Sequence, residues 1–174
     1  MLERLCHPLM RIFVAVFALL AAGIWNAATA DQSAAKPKDN LVKVVYHADF
    51  SDPRRFSAML TNIHNMVSTY QSELMDYDIR IVFVSWGIRF VTEDKLTGTP
   101  FAEDAVFKQR RADLQARLAT LRDIQGVKLE VCGITREQIG LEEKKLIPGV
   151  KIVHSGVVRI VELQRQGFAY LKVE

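Results

Sequence analysis

Three side chains in this sequence have the chemistry a reactive site needs: Cys132, His47 and His154. Each stands where an apolar, β-branched run gives out. His47 ends the run Leu41-Val-Lys-Val-Val-Tyr-His47, Cys132 follows Val127-Lys-Leu-Glu-Val131, and His154 follows Val150-Lys-Ile-Val153. Gly133 comes directly after the cysteine, and Ser155-Gly156 directly after the second histidine. Ser85-Trp86-Gly87 closes a fourth run that begins at Ile79. A thiol at the entrance to a helix meets the positive end of its macrodipole, which favours thiolate. Gly133 would let a ligand approach the backbone closely. A neighbouring imidazole would take or give the proton that thiol chemistry moves. The expected site is therefore Cys132 as the reactive group, in a pocket with His47, Trp86, Gly133, His154 and Ser155. The bland alternative is that Val131-Cys132 continues a buried strand and the cysteine is a small hydrophobe.

His47, Cys132 and His154 also offer three ligands for zinc or copper, but their spacing matches no compact ligand motif. No metal and no cofactor is expected. The sequence lacks G-x-G-x-x-G, a Walker loop, G-x-S-x-G and C-x-x-C. Those absences argue against dinucleotide binding, phosphoryl transfer, serine hydrolysis and thioredoxin-type cycling. Lys108, Arg110, Arg111, Arg117 and Arg122 face only Asp113 within one segment. No aromatic residue is interleaved with them, so they read as a solvated helix face and no nucleic-acid partner is expected.

The elements that must position these residues follow from hydrophobic period. The strands are read at Leu41–His47, Ile79–Ser85, Val127–Val131, Val150–Val153 and Phe168–Val173. Asp52-Pro53 is a capped helix start, followed by Phe56, Met59, Leu60, Ile63, Val67 and Tyr70 at helical spacing. A second helix is expected over Ala102–Gln125, with Phe107, Leu114, Leu118 and Leu121 inward and Gly126 as its stop. A helical stretch over Thr135–Lys145 and a helix over Val157–Gln166 complete the set, and Trp86–Pro100 reads as a long connection. Strands alternating with helices imply an α/β domain with a mostly parallel, five-stranded sheet covered on both faces. Ligands of such sheets bind beyond the carboxyl ends of the strands. The reactive candidates all fall on that rim.

The chain has 174 residues, 49% of them hydrophobic and 25% charged, with a net charge of +3. That composition excludes a disordered or collagen-like chain and suits one domain. Arg4 and Arg11 precede an apolar run from Ile12 to Trp25, and Ala28-Thr29-Ala30 follows it. This is the layout of a secretory signal peptide over residues 1–30, with an uncleaved signal anchor as the alternative. Cleavage would put the protein in the periplasm or outside the cell, without a stable membrane anchor. It would also remove Cys6 and leave Cys132 as the only thiol. Residues 31–40 read as a flexible lead-in to a domain over 41–174.

The stretch Gly126-Val-Lys-Leu-Glu-Val-Cys-Gly-Ile-Thr-Arg-Glu-Gln-Ile-Gly-Leu141 resembles the DsrE/DsrF-like family. Val150-Lys-Ile-Val-His-Ser-Gly156, Gln166-Gly-Phe-Ala-Tyr170 and Asn62-Ile-His-Asn65 are similar to it as well. The resemblance covers Leu41 to Glu174. It implies a three-layer α/β/α sandwich that assembles into trimers or hexamers. In the family's sulfur-relay members a cysteine after the third strand carries persulfide sulfur, and Cys132 matches that position. The expectation is thus an exported sulfur-handling protein that meets a sulfur donor or acceptor protein. A non-catalytic module binding a small ligand or a partner protein is the second expectation.

Overall fold

The structure is a computed structural model that describes residues 41–174. The expected signal peptide at 1–30 and lead-in at 31–40 lie outside the described residues. Five strands form one sheet: β1 (Val42–Ala48), β2 (Tyr77–Phe83), β3 (Lys128–Cys132), β4 (Val150–Val153) and β5 (Ala169–Leu171). Their order is β4-β3-β2-β1-β5, and every pairing is parallel. The expected sheet was mostly parallel; the observed one is wholly so. Four helices connect the strands: α1 (Pro53–Ser72), α2 (Ala105–Asp123), α3 (Gly133–Gln138) and α4 (Gly156–Arg165).

Alternation along the strands sorts side chains onto two faces. Val44, Tyr46, Ala48, Ile79, Ile81, Phe83, Leu129 and Val131 join the larger core with α1 and α2. Val45 and Val82 point the other way and pack with Ile160, Leu163 and Phe168 of α4 and the turn after it. The result is the three-layer α/β/α sandwich. Two long helices cover one face, and the ten residues of α4 cover the other.

Local chemistry sets the helix ends. The Asp52 side chain accepts from the Arg54 N–H at 2.7 Å ahead of Pro53, as expected. Asp104 accepts from the Phe107 N–H at 2.9 Å, so α2 starts at Ala105 rather than Ala102. The stretch after β2 is not a plain connection. Ser85–Val91 forms a 3-10 turn with Ile88, Phe90 and Val91 fully buried. Phe90 stacks on Phe56 at 4.0 Å between ring centres and meets Phe107 edge-on at 5.2 Å. The aromatic contacts tie this segment to both long helices. The helix expected over Thr135–Lys145 stops at Gln138, because Gly140 takes a left-handed conformation at φ +64° and the chain re-forms only a short 3-10 turn over Glu143–Lys145.

Candidate functional site

Cys132 is the last residue of β3 and, at the same time, the residue capping α3. Alternation places its side chain on the α4 face, since Leu129 and Val131 point into the larger core. Both readings of this residue thus hold in part. It continues the strand and is only 4% exposed, and it also stands at a helix entrance.

The surroundings of the sulfur are polar. The backbone N–H groups of Gly156, Thr135 and Ile134 face it, together with the Thr135 hydroxyl. Burial pushes the thiol up; the four donors outweigh burial and hold it below its ordinary value. The Cys132 side chain forms no capping hydrogen bond to its own helix. The N–H groups therefore act on the thiol through their dipoles rather than as close bonds. Two helix starts contribute, α3 with Ile134 and Thr135, and α4 with Gly156. The approach of α4 requires a glycine: a Cβ on Gly156 would lie 2.5 Å from Val84 Cγ2 and 3.1 Å from Cys132 Cβ. Gly133 has a similar duty. A Cβ there would lie 3.0 Å from the Val153 carbonyl oxygen, where the Ile134 N–H donates to the His154 carbonyl at 3.2 Å.

The other expected pocket residues take different places. Ser155 caps α4, its hydroxyl accepting from the Val158 N–H at 3.4 Å, and so fixes the start of the helix beside Cys132. His154 is exposed at the end of β4 and contributes its carbonyl to α3. Trp86 is 39% exposed and packs edge-on against Phe101. His47 is not brought to the thiol. It pairs with Val82, which pairs with Glu130, so it stands two strands from β3 and two residues behind Cys132. At ~4.8 Å per strand that separation is about 10 Å or more. His47 instead binds the Tyr170 hydroxyl through Nδ1 at 3.0 Å, with Asp49 at 3.9 Å from Nε2 and Lys172 on Asp49 at 3.0 Å. Burial is the largest influence on His47 and lowers it below 6.5; Asp49 opposes this and Lys172 reinforces it.

Thr135 and Gly156 were absent from the expected pocket. Thr135 was read only as the first residue of a helix, and Gly156 only as the end of the stretch that follows the fourth strand. The signal available was their offset. Thr135 is three residues beyond Cys132, which returns a helix side chain to its own cap. Among the described residues no group of three or more His, Cys, Asp or Glu is placed to hold a metal ion. The basic residues of α2 mostly bind the protein itself. Arg111 meets Glu103 and the Thr92 carbonyl, Arg117 meets Ser57 and Thr61, and Arg122 meets Asp123 and the Pro148 carbonyl.

The fold has solved relatives. MTH1491 from Methanobacterium thermoautotrophicum, described as a protein of unknown function, is 27% identical with a TM-score of 0.57 over 75% of this chain and 98% of its own. The ychN protein from E. coli is 19% identical with a TM-score of 0.50 over the same shares, a likeness of fold alone. No curated protein matches the sequence. The sequence profile of the DsrE/DsrF-like family matches residues 39–173, which span β1 through β5 and include Cys132. The chain belongs to the DsrE/DsrF-like family.

Proposed function

We propose that this protein handles sulfur by carrying sulfane sulfur on Cys132 as a persulfide. Family membership supports a sulfur-relay-related role. The single observation that supports the finer reading is the placement of Cys132, a buried thiol at the entrance to α3 with the start of α4 pressed against it. Amides at two helix starts favour an anionic sulfur, and they hold the thiol below its ordinary value despite burial.

The step needs no outside electrons. The Cys132 thiolate attacks the outer sulfur of a persulfide or polysulfide donor. The donor's S–S bond breaks, the donor leaves as a thiolate, and Cys132 holds the new S–S bond with the charge on its outer sulfur. Handover to an acceptor thiolate runs the same exchange in reverse. The protein accordingly meets a donor and an acceptor. The apolar run ahead of Ala28-Thr29-Ala30 supports export and cleavage, which would place the exchange in the periplasm or outside the cell. We also assign it a homo-oligomeric state, a trimer or hexamer, on the family resemblance.

Incubation of the native protein with polysulfide tests the reading. Intact mass rises by one sulfur atom, and Cys132→Ser removes the gain. Absence of that gain from folded wild-type protein overturns it. One observation favours the second reading, a non-catalytic binding module: Ile134, Val157, Val158 and Val161 are exposed apolar side chains on the two helices that face Cys132. A bound partner protein that survives Cys132→Ser would support that module instead.

A further inference from the structure

A cavity of about 280 Å³ opens between α1 and α2, on the face of the sheet opposite the Cys132 side chain. The buried Leu60 and Leu121 form its floor, and Thr61, His64, Arg117 and Thr120 border it. Arg117 is held in place from α1. Its Nη1 donates to the Ser57 hydroxyl at 2.6 Å, and its Nη2 to the Ser57 carbonyl at 3.0 Å and the Thr61 hydroxyl at 2.8 Å. Three of the guanidinium's five donors are thereby used, and two remain. Its one ion-pair partner among the described residues is Asp113, 4.0 Å from Nη1 and 63% exposed, a contact of little strength. His64 is fixed by Gln125, itself 8% exposed, whose amide nitrogen lies 3.0 Å from His64 Nδ1 and whose amide oxygen lies 3.4 Å away. The Tyr77 hydroxyl anchors Gln125 by donating to its carbonyl at 2.9 Å. Nδ1 therefore accepts from the amide, and the proton of the neutral ring sits on Nε2. Nε2 has no hydrogen-bond partner among the described residues.

We propose that this cavity binds a small organic carboxylate, held by Arg117 and the Nε2–H of His64, with its hydrocarbon body on Leu60 and Leu121. The site is independent of the sulfur reading. A guanidinium with donors to spare suits a planar carboxylate, and the imidazole supplies one more. No acidic side chain borders the cavity, so an entering anion meets one full positive charge. Asp113, close to Arg117, offsets part of that charge and disfavours a doubly charged ligand such as phosphate. The apolar floor favours a ligand with a hydrocarbon group over a bare oxyanion, which would leave its own water behind there. The volume stands near the lower bound for small-molecule sites, about 300 Å³, so the ligand is small. Both polar groups are held by neighbours before any ligand arrives, and binding therefore orders few side chains.

Titration of the full protein with benzoate, followed by calorimetry and NMR, tests the proposal. Benzoate should bind saturably at one site at millimolar concentrations, with the largest shifts on His64 and the neighbouring amides of α1 and α2. Benzamide has the same shape without the charge and should bind about tenfold more weakly; inorganic phosphate should not displace benzoate. Arg117→Gln should weaken benzoate about tenfold, the loss of one hydrogen bond to a charged group. Because Arg117 also ties α2 to α1, His64→Phe is the second variant: it keeps a ring, removes the N–H, and should weaken benzoate several-fold. Cys132→Ser should bind benzoate as wild type does. Absence of saturable binding overturns the proposal, as do equal binding of benzamide, displacement by phosphate, or an affinity unchanged in both Arg117→Gln and His64→Phe. Loss of binding in Cys132→Ser would put the ligand at the other face of the sheet and overturn it as well.

Discussion

Gly156 and Cys132 come from opposite ends of a strand-and-helix excursion, yet a Cβ on Gly156 would lie 3.1 Å from Cys132 Cβ. The start of α4 is pressed onto the end of β3 with no room for one methyl group.

Gly156→Ala tests that contact. The new Cβ would meet Val84 Cγ2 at 2.5 Å, so α4 must shift. Overpacking of this kind destabilises by about 1–3 kcal/mol. The same shift withdraws an N–H from the sulfur, so alkylation at neutral pH slows together with the loss in urea midpoint. A variant that loses stability but keeps wild-type alkylation would detach the helix from the thiolate.

Cys132 should alkylate earlier in a pH titration than a free cysteine, whose pKa is about 8.5. Its native value is depressed, so the linkage sign is fixed. The thiolate adds stability above the unfolded-state value, and that increment is lost as pH falls through the native one. Urea midpoints of wild type and Cys132→Ser should therefore diverge on the alkaline side. If Cys132 reacts only in denatured protein, the thiol is a core residue and the carrier reading falls.

His47 works on the acid side. Its native value lies below 6.5, chiefly through burial. Such a histidine contributes stability that is present above about 6.5 in the unfolded chain and is lost as pH falls through the native value. His47→Gln should narrow the difference in denaturation midpoint between pH 7 and pH 5. Sulfur uptake on Cys132 should be nearly unchanged, because the imidazole stands two strands away. A collapse of uptake in His47→Gln would contradict that placement.

Glu130 is 2% exposed and binds Arg80 at 2.9 Å and Arg159 at 2.7 Å, which anchors α4 to β3. Burial pushes its carboxyl up, but the two guanidinium groups outweigh burial and hold it below 4.5. Removing one partner of a buried ion pair is costly, and Arg80 and Arg159 keep some access to water. Glu130→Gln should therefore cost about 3 kcal/mol, the lower end for such pairs, in chemical denaturation. Loss of α4 docking should also disturb the thiol, visible as slower alkylation at neutral pH.

The architecture was largely legible in the sequence because the run Leu41–His47 has the composition of a strand covered on both faces, and β1 is buried through Val44–Tyr46; Val150–Val153 likewise gave β4 its bounds. Boundaries slipped where a single backbone event decided them. β2 was placed two residues late, since its register opposite Val42 starts at Tyr77 and the left-handed Ser85 ends it. The rim position of Cys132 was legible from a β-branched run ending in Cys-Gly. His47 was misjudged as its neighbour because sequence places it near a strand end but does not supply lateral order. Only the sheet order shows β2 standing between β1 and β3. The groups that lower the thiol were hidden for another reason: three of the four are the N–H groups of Gly156, Thr135 and Ile134, and no residue type announces an amide's direction.

That, among the described residues, α4 alone covers its face of the sheet has a mechanical consequence. Cys132 is nearly sealed, so a reagent reaches it either through a small local shift or by undocking of the helix. Undocking would bare the sulfur while carrying away the Gly156 amide, leaving a thiol of more ordinary acidity. Exposure and activation are thus opposed along that route. Rapid reaction at neutral pH must proceed through a fluctuation that keeps α4 seated, and such a rate is insensitive to dilute denaturant. A rate that climbs steeply with denaturant would instead identify a protected thiol released by the helix.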